Sequence, residues 1–116
     1  MTGNILSGLN ATMDEVRIIA QRKNNPAEYM CERMVRIVGH QQEALSADQE
    51  LGVLVTGGSA PAFHLRRIAF SNPDILVFMG KDADNNDIQV MQHHSQMSVV
   101  LIAMPKLEEK AYRIGF

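Results

Sequence analysis

The chain has 116 residues, of which 46% are hydrophobic and 21% are charged, and its formal net charge is −2 at pH 7. This length allows one domain, residues 1–116, and excludes a second independent core. The slightly acidic balance argues against a protein that coats RNA or DNA, since an excess of basic groups supplies the affinity of such proteins. It does not argue against a small anionic ligand, which needs only two or three well-placed donors.

The N-terminal part of the chain is predicted to be helical over residues 11–45, after a flexible segment at residues 1–10. A capping-box spelling at residues 12–15 begins a first helix that runs to about Lys23. No signal peptide is expected, because the N-terminus lacks a basic stretch followed by an apolar one. A cytoplasmic location is therefore expected.

A second helix follows directly. Asn25 suits the N-cap position and Pro26 the first helical position, and apolar residues recur at helical spacing through about Ala44. Cys31 lies within this pattern and is the only cysteine of the chain. It is interpreted as a buried helix residue rather than a catalytic thiol.

The second half of the chain, residues 51–104, predicts five short strands joined by tight turns. The predicted strands are 51–56, 63–70, 75–79, 88–94 and a last strand that Pro105 ends, with a tail at 105–116. The fold class is therefore α+β, with N-terminal helices packed on a strongly bent five-stranded antiparallel sheet of Sm/SH3-like type. Because so short a chain with open strand edges is marginal alone, a homo-oligomer is expected.

The segment Asp82–Asp87 has the acidic spelling of a calcium loop. However, Asp87 stands where such a loop needs glycine, and His93 stands where it needs a bidentate glutamate. The segment is predicted to be a hairpin turn.

The pair His93-His94 invites a metal or acid–base interpretation. Neighbouring residues on a strand point to opposite faces, so the two rings are not expected to share one ion, and no cysteine or HxxxH partner completes a site. No metal and no cofactor are expected. His94 is kept as a candidate ligand contact.

Three arginines, two in a strand and one in the tail, could bind a phosphate. Arg66 and Arg67 lie mid-strand, so one guanidinium is expected on each face, either solvated or salt-bridged or forming a bidentate fork with phosphate. Arg113, in the polar tail, could close over a neighbouring site.

The candidate contacts to a nucleobase are Phe70, which could stack on a base or belong to the core, and Asn72 or Asn85, which could read its polar edge. Asp82 is an alternative to Asn85. The sequence contains no recognisable nucleophilic triad, paired acids or zinc spelling, so the protein is predicted not to be an enzyme. A hydrolase that uses His93 or His94 is the minority interpretation.

Two resemblances bear on function. The segment from His94 to Val99 resembles the closing strand pair of Sm-like proteins such as the bacterial host-factor RNA chaperone. This implies, as one alternative, an RNA-binding or protein-interaction module. The acidic balance and the lack of a basic rim count against it.

The second resemblance covers most of the chain. The spellings NPAEYMCERM, ELGVLVTGG, FHLRRIAFSNPDILVFMGKD, IQVMQHHSQMSVVLIAMPK and the terminal RIGF are similar to a family of small phage and bacterial proteins (the DUF6173 type). By the same spellings the chain resembles the first-described Thoeris anti-defence proteins. The resemblance implies a hexamer built from dimers in the host cytosol. It would bind cyclic ADP-ribose isomers, and for some members cyclic trinucleotides, without cleaving them.

The resemblance also implies where the ligand would bind. It places a pocket at a subunit interface, with an aromatic from the second strand (Phe70), a polar residue near the third-strand hairpin (Asn85 or Asp82) and a tail arginine (Arg113). The full predicted contact set is Phe70, Asn72, Asn85, His94, Arg66 and Arg113.

Overall fold

The computed structural model describes the backbone of residues 2–115 and the side chains of residues 13–115. Met1 and Phe116, at the ends of the predicted segments 1–10 and 105–116, lie outside the described residues. The elements in chain order are α1 (Thr2–Asn24), α2 (Pro26–Glu43), β1 (Gln49–Val55), β2 (Phe63–Ser71), β3 (Ile75–Lys81), β4 (Asp87–His93), a 3₁₀ turn (His94–Gln96) and β5 (Val99–Pro105).

The first helix is longer than the sequence predicted. It begins at Thr2, whereas residues 1–10 were predicted to be flexible and the helix to start at the capping box of residues 12–15. No proline interrupts residues 2–24, and the glycines at 3 and 8 each cost only about 1 kcal/mol relative to alanine. The helix therefore continues through the capping-box spelling.

The second helix buries one face, formed by Ala27, Cys31, Met34, Val38 and Gln42, against the sheet. Asn25 stands at the predicted N-cap, but its side chain makes no capping bond to any described residue. The amide of Ala27 instead donates to the carbonyl of Pro73 at 2.9 Å. The turn between β2 and β3 thus satisfies a donor that the helix itself leaves open.

The sheet is antiparallel with strand order β4-β3-β2-β1-β5. β4 and β5 lie on opposite edges, although only residues 94–98 connect them. So short a link spans at most about 20 Å, so the sheet must curl to bring its two edges near each other. The result is a curled half-barrel, and the predicted α+β class with helices packed on a bent five-stranded sheet is confirmed.

The core lies between α2 and the concave face of the sheet. Most of its side chains are aliphatic, two contain sulfur, two are phenylalanines, and one belongs to the tail: Cys31, Met34, Val38, Leu51, Val53, Val55, Phe63, Leu65, Ile68, Leu76, Phe78 and Ile114. The amide of Ile114 donates to Oε1 of Gln42 at 2.7 Å, and Nε2 of Gln42 donates back to the Ile114 carbonyl at 3.1 Å. The tail is therefore part of the fold.

The helix α1 extends away from this core. Its described side chains, from Met13 to Asn24, are all exposed. The molecule measures 63 × 29 × 17 Å with a radius of gyration of 18.3 Å, against about 13 Å for a compact chain of this length. No helix within residues 2–115 is both long and apolar enough to cross a membrane.

Candidate functional site

A cavity with a volume of about 420 Å³ lies between the middle of β2 and the base of the β3–β4 hairpin. Three cationic side chains line it, together with one carboxylate and a partly apolar floor: Arg66, Arg67, Lys81, Asp87, Met79, Gly80, Ile88 and Gln89. Its volume falls within the roughly 300–1,000 Å³ typical of small-molecule sites.

A β-bulge brings the two arginines together. The register between β2 and β3 shifts between Leu65 and Arg67, so Arg66 is the extra residue. A bulge breaks the alternation of faces along a strand. The expectation that Arg66 and Arg67 serve opposite faces of the sheet is therefore wrong, because both side chains line the same cavity.

Gly80 makes this close approach of strands possible. A Cβ atom at this position would lie 2.0 Å from the carbonyl oxygen of His64 and 2.7 Å from Cδ2 of Phe63. Since the nearer atom belongs to the backbone, it cannot move aside cheaply. The glycine thus lets β2 fold over β3 at the wall of the cavity.

Behind the cavity wall, Arg66 belongs to a buried polar cluster centred on Glu50, whose side chain is only 1% exposed. Nη2 of Arg66 lies 3.3 Å from Oε1 of Glu50, and Nδ1 of His64 lies 2.5 Å from the same oxygen. The amide of Tyr112 donates to Oε2 of Glu50 at 2.8 Å. Both carboxylate oxygens are therefore partnered.

The carboxyl of Glu50 stays ionised because of these partners. Burial alone would raise its pKa. The Tyr112 amide, the charge and hydrogen bond of Arg66 and the nearby His64 together outweigh burial and hold the pKa of Glu50 below its ordinary value of 4.5. The ionised carboxylate in turn fixes Arg66 in position.

The guanidinium of Arg66 contacts Glu50 and the ring of Tyr112, but one of its donors is left without a partner among the described residues. Its Cζ lies 4.2 Å from the centroid of the Tyr112 ring, a cation–π contact. Its Nη1 is buried and has no hydrogen-bond partner among the described residues. A buried donor without an acceptor destabilises a protein by about 1–3 kcal/mol. An anion that accepted a hydrogen bond from Nη1 would remove this penalty.

The electrostatic balance of the cavity favours anions. Nζ of Lys81 lies 2.7 Å from Oδ1 of Asp87, so these two charges largely offset each other. The charge of Arg66 is offset by Glu50. Arg67 forms no ion pair within the described part of the chain and supplies the uncompensated positive charge.

Arg113 lies close to this cluster but uses its donors elsewhere. Its Nη1 donates to the carbonyls of Gln49 at 2.6 Å and Tyr112 at 3.2 Å, and its Nη2 donates to the carbonyl of Ser46 at 2.8 Å. The side chain thus ties the tail to the start of β1. A ligand contact by Arg113 would require some of these bonds to break.

Three other predicted contacts lie at the opposite end of the sheet. Phe70 is 41% exposed near the end of β2. Asn72 follows in the turn, where its Nδ2 donates to Oε1 of Glu28 at 3.0 Å. His94 begins the 3₁₀ turn beside Asp74. Because β2 rises about 3.3 Å per residue, Phe70 is roughly 13 Å along the strand from Arg66.

Asn85 lies at the exposed tip of the β3–β4 hairpin, with a φ of 63°. The carboxylate of Asp82 accepts from the amides of Asp84 and Asn86 at 2.9 and 2.8 Å, and from Nδ2 of Asn86 at 3.1 Å. These bonds close a tight turn, as predicted for this segment, and the bonds from Asn86 hold the pKa of Asp82 below its ordinary value. The six predicted contacts therefore do not form one site within a single chain.

The histidine pair departs from the sequence-based expectation. Residue His93 ends β4 and His94 opens the 3₁₀ turn, so strand alternation stops between them. Their rings stack with centroids 4.7 Å apart and an interplanar angle of 30°. The expectation that the two rings point to opposite faces is wrong, because ring nitrogens of both lie near the carboxylate of Asp74.

The thiol of Cys31 is buried, as predicted. Burial, followed by the charges of Glu32 and Glu28, raises its pKa. A thiol that resists ionisation is a poor nucleophile, so this residue serves packing.

The sequence interpretation missed the polar cluster of Glu50, His64 and Tyr112. Glu50 lies just before the first predicted strand, 51–56, and its contact with Tyr112 joins residues 62 positions apart. No local pattern could have revealed that contact. The alternation of β2 did single out Arg66.

A scan of protein-family models and searches of curated proteins and of solved structures found no match to this chain.

Proposed function

We propose that this protein binds a small phosphorylated nucleotide in the Arg66–Arg67–Lys81 cavity and holds it without transforming it. The observation that carries the proposal is the buried, unpartnered Nη1 of Arg66, described above, beside the uncompensated charge of Arg67. A guanidinium presents donors in a fixed fork that matches phosphate geometry. A phosphate oxygen would satisfy this donor if the guanidinium turned Nη1 toward the cavity as the ligand bound.

The remaining cavity wall suits the rest of a nucleotide. Met79 and Ile88 offer apolar surface for a base or ribose, and Gln89 offers both a donor and an acceptor. Such a mixture of apolar lining with a few polar groups is common in small-molecule sites.

The biological role we propose is sequestration of a cyclic nucleotide immune signal in the cytosol of an infected host. The resemblance to the Thoeris anti-defence type points to cyclic ADP-ribose isomers, with cyclic trinucleotides as a second group. To compete with a receptor, such a sponge needs nanomolar affinity, about −12 kcal/mol. An open cavity on one chain covers a nucleotide from one side only, so the proposal includes a homo-oligomer.

An oligomer would also supply the predicted contacts that lie away from the cavity. Phe70, Asn72 and His94 stand at the other end of β2, so they could reach a ligand in this cavity only from a second copy. The proposed assembly is dimer-based, with a hexamer as the expected size.

The proposal is tested by incubating the purified protein with cyclic ADP-ribose isomers, removing unbound nucleotide, denaturing the protein by heat and identifying what is released. We expect nanomolar binding and recovery of the unchanged nucleotide. Recovery of a cleaved product would instead indicate the hydrolase alternative, and a lack of binding to any cyclic nucleotide would refute the proposed role.

The site is tested with Arg67→Ala and Lys81→Ala, each of which should weaken binding by about 1–3 kcal/mol through loss of a charged hydrogen bond. Arg36→Ala is the matched control, because Arg36 is an exposed arginine on α2 away from the cavity. Arg66→Lys keeps the charge beside Glu50 but loses the fork, so it should weaken binding while the protein stays folded. Equal affinity in all four variants would place the ligand elsewhere.

The alternative function is an Sm-like RNA-binding or protein-interaction module. The observation that favours it is the order of elements, a helical segment followed by a curled five-stranded antiparallel sheet. A sub-micromolar, salt-sensitive affinity for single-stranded RNA, with no affinity for cyclic nucleotides, would select this alternative.

A further inference from the structure

A second cluster of side chains, separate from the cavity, lies where the β2–β3 turn meets the end of β4. It consists of Asp74, His93 and His94, whose nearest ligand atoms all lie within 4.8 Å of one another. Oδ1 of Asp74 is 3.9 Å from Nε2 of His93 and 3.8 Å from Nε2 of His94. We propose that these three residues are the ligands of a divalent metal ion, and that this ion is Zn²⁺.

The donor set fits the chemistry of zinc. Two imidazoles and one carboxylate are a common protein ligand set for Zn²⁺, which then takes water as its fourth ligand. Zinc–ligand bonds of about 2.0–2.2 Å place tetrahedral donors about 3.3 Å apart. The three side chains are partly exposed, at 45%, 45% and 26% for Asp74, His93 and His94. They can therefore rotate inward. The two distances from Asp74 to the imidazole nitrogens must shorten by roughly 0.5 Å, and the distance between the two imidazole nitrogens must shorten by more.

Main-chain contacts hold the backbones of all three donor residues in place. The amide of His94 donates to the carbonyl of Asp74 at 2.8 Å, which fixes the backbones of these two residues beside each other. The pairing of Ile75 on β3 with His93 on β4 fixes the backbone of His93 beside them. The site thus rests on main-chain contacts rather than on the side chains alone.

Ser95 can set the tautomer of His93 that metal binding requires. Oγ of Ser95 lies 2.8 Å from Nδ1 of His93, and either atom can donate according to the tautomer. When Nε2 binds a metal ion, Nδ1 carries the proton and donates it to Oγ of Ser95. An outer hydrogen bond of this kind orients a ligating imidazole. The competing bond from the Ser95 amide to Nδ1, at 3.2 Å, would then be lost.

A bound ion would join segments that are distant in the chain. Asp74 precedes β3, whereas His93 ends β4 and His94 opens the link to β5. Zinc would therefore clip the β2–β3 turn to the link that crosses from one sheet edge to the other. Because the ion binds the folded chain, it should raise the melting temperature.

The test uses the untagged full chain, freed of metal with a chelator, and titrates it with ZnCl₂ against a chromophoric competitor. The same samples are titrated with Co²⁺ to record ligand-field absorption, and melting temperatures are measured with and without Zn²⁺. We expect one ion per chain, the Co²⁺ spectrum of a four- or five-coordinate nitrogen/oxygen site, and a higher melting temperature with Zn²⁺.

The variants Asp74→Asn, His93→Ala and His94→Ala should each reduce zinc affinity, and Ser95→Ala should reduce it by roughly 10–100-fold. His40→Ala is the matched control, because His40 is an exposed histidine whose Nδ1 also lies near a carboxylate, 3.8 Å from Glu43. Circular dichroism checks that each variant is folded, and Asp74→Asn serves if a histidine variant fails to fold. Zinc affinity unchanged in Asp74→Asn, or lost in His40→Ala, would overturn the proposal, as would millimolar affinity in the unaltered chain.

Discussion

Glu50 is the residue on which the charge balance of the β1–β2 junction depends. Its carboxylate partners Arg66, His64 and the Tyr112 amide at once, and it is almost completely buried. Removing one member of such a cluster leaves the others with uncompensated charge. The cost of that imbalance is larger than the value of the ion pair itself.

The lowered pKa of Glu50 predicts acid sensitivity. A carboxyl whose pKa is lower in the folded chain stabilises the fold above the unfolded value of 4.5, and this contribution is lost as pH falls through the folded pKa. We expect the free energy of unfolding, measured with urea from about pH 7 to about pH 3, to fall across that range.

The variant Glu50→Gln should remove part of that pH dependence and cost about 3 kcal/mol at neutral pH, because Arg66 is left unpaired. Glu43→Gln is the control, since Glu43 is exposed and contacts only His40 through an ion pair. A pH profile of Glu50→Gln that matches the unaltered chain would show that another group controls acid unfolding.

Arg113 supports a second prediction at the residue scale. The sequence alone predicts that Arg113→Ala weakens anion binding and leaves the fold intact. Its donors, however, hold carbonyls of Ser46, Gln49 and Tyr112. We therefore expect the variant to lose about 1–3 kcal/mol of stability and to become sensitive to proteolysis in the tail.

Denaturant titration and limited proteolysis measure this effect, with Lys110→Ala, an exposed residue of the same tail, as the control. Weaker nucleotide binding with unchanged stability would support the ligand role instead.

At the scale of elements, the bulge in β2 and Gly80 in β3 act together. The bulge directs Arg66 and Arg67 to one cavity, and the missing side chain at position 80 lets the strands close behind them. Gly80→Ala should therefore destabilise the protein by about 1–3 kcal/mol through overpacking and should distort the cavity.

Gly58→Ala is the matched control for this variant, because nothing lies within 4 Å of an added Cβ at that position. Thermal unfolding and nucleotide binding measure the two variants together. A neutral Gly80→Ala would mean that β2 can shift away without cost and that the bulge does not depend on this glycine.

At the scale of the whole molecule, the described structure has two unpaired sheet edges and a helix that contacts the core little. Met91 on β4 and Val100 on β5 are exposed by 66% and 47%. Open strand edges with apolar side chains favour pairing with another chain. An edge on each side of the sheet would let copies associate head to tail into a ring.

Lysine at either edge should oppose such pairing. We expect Met91→Lys and Val100→Lys to lower the oligomeric mass measured by light scattering, with little loss of stability, because both side chains already face solvent. Gln41→Lys, at an exposed position on α2 away from both edges, controls for the added charge. An unchanged mass in both variants would place the interface elsewhere, and the exposed side of α1, including Val16 and Ile19, would then be the next surface to test.

Much of the fold was predictable because its signals are local. Strand alternation, proline positions and acidic turn spellings located β1–β5 to within a few residues. The N-terminal helix was placed too late, since a capping-box spelling at residues 12–15 does not prevent a helix from starting earlier. Of the candidate contacts, Arg66 was placed correctly on β2. The prediction that Arg67 faces the other side of the sheet was wrong, because a bulge has no clear sequence signal.

By itself, the sequence determined the α+β class, the order of elements, the hairpin at Asp82 and the packing role of Cys31. Only the tertiary structure decided that Arg66 and Arg67 share a cavity, that Glu50 is buried beneath them, that Arg113 anchors the tail and that His93 and His94 both face Asp74. The physical reason is distance along the chain. Hydrophobic periodicity and turn chemistry act between near neighbours, whereas the contacts of Glu50, Arg113 and Asp74 join distant parts of the chain, and the bulge at Arg66 has no clear local signal.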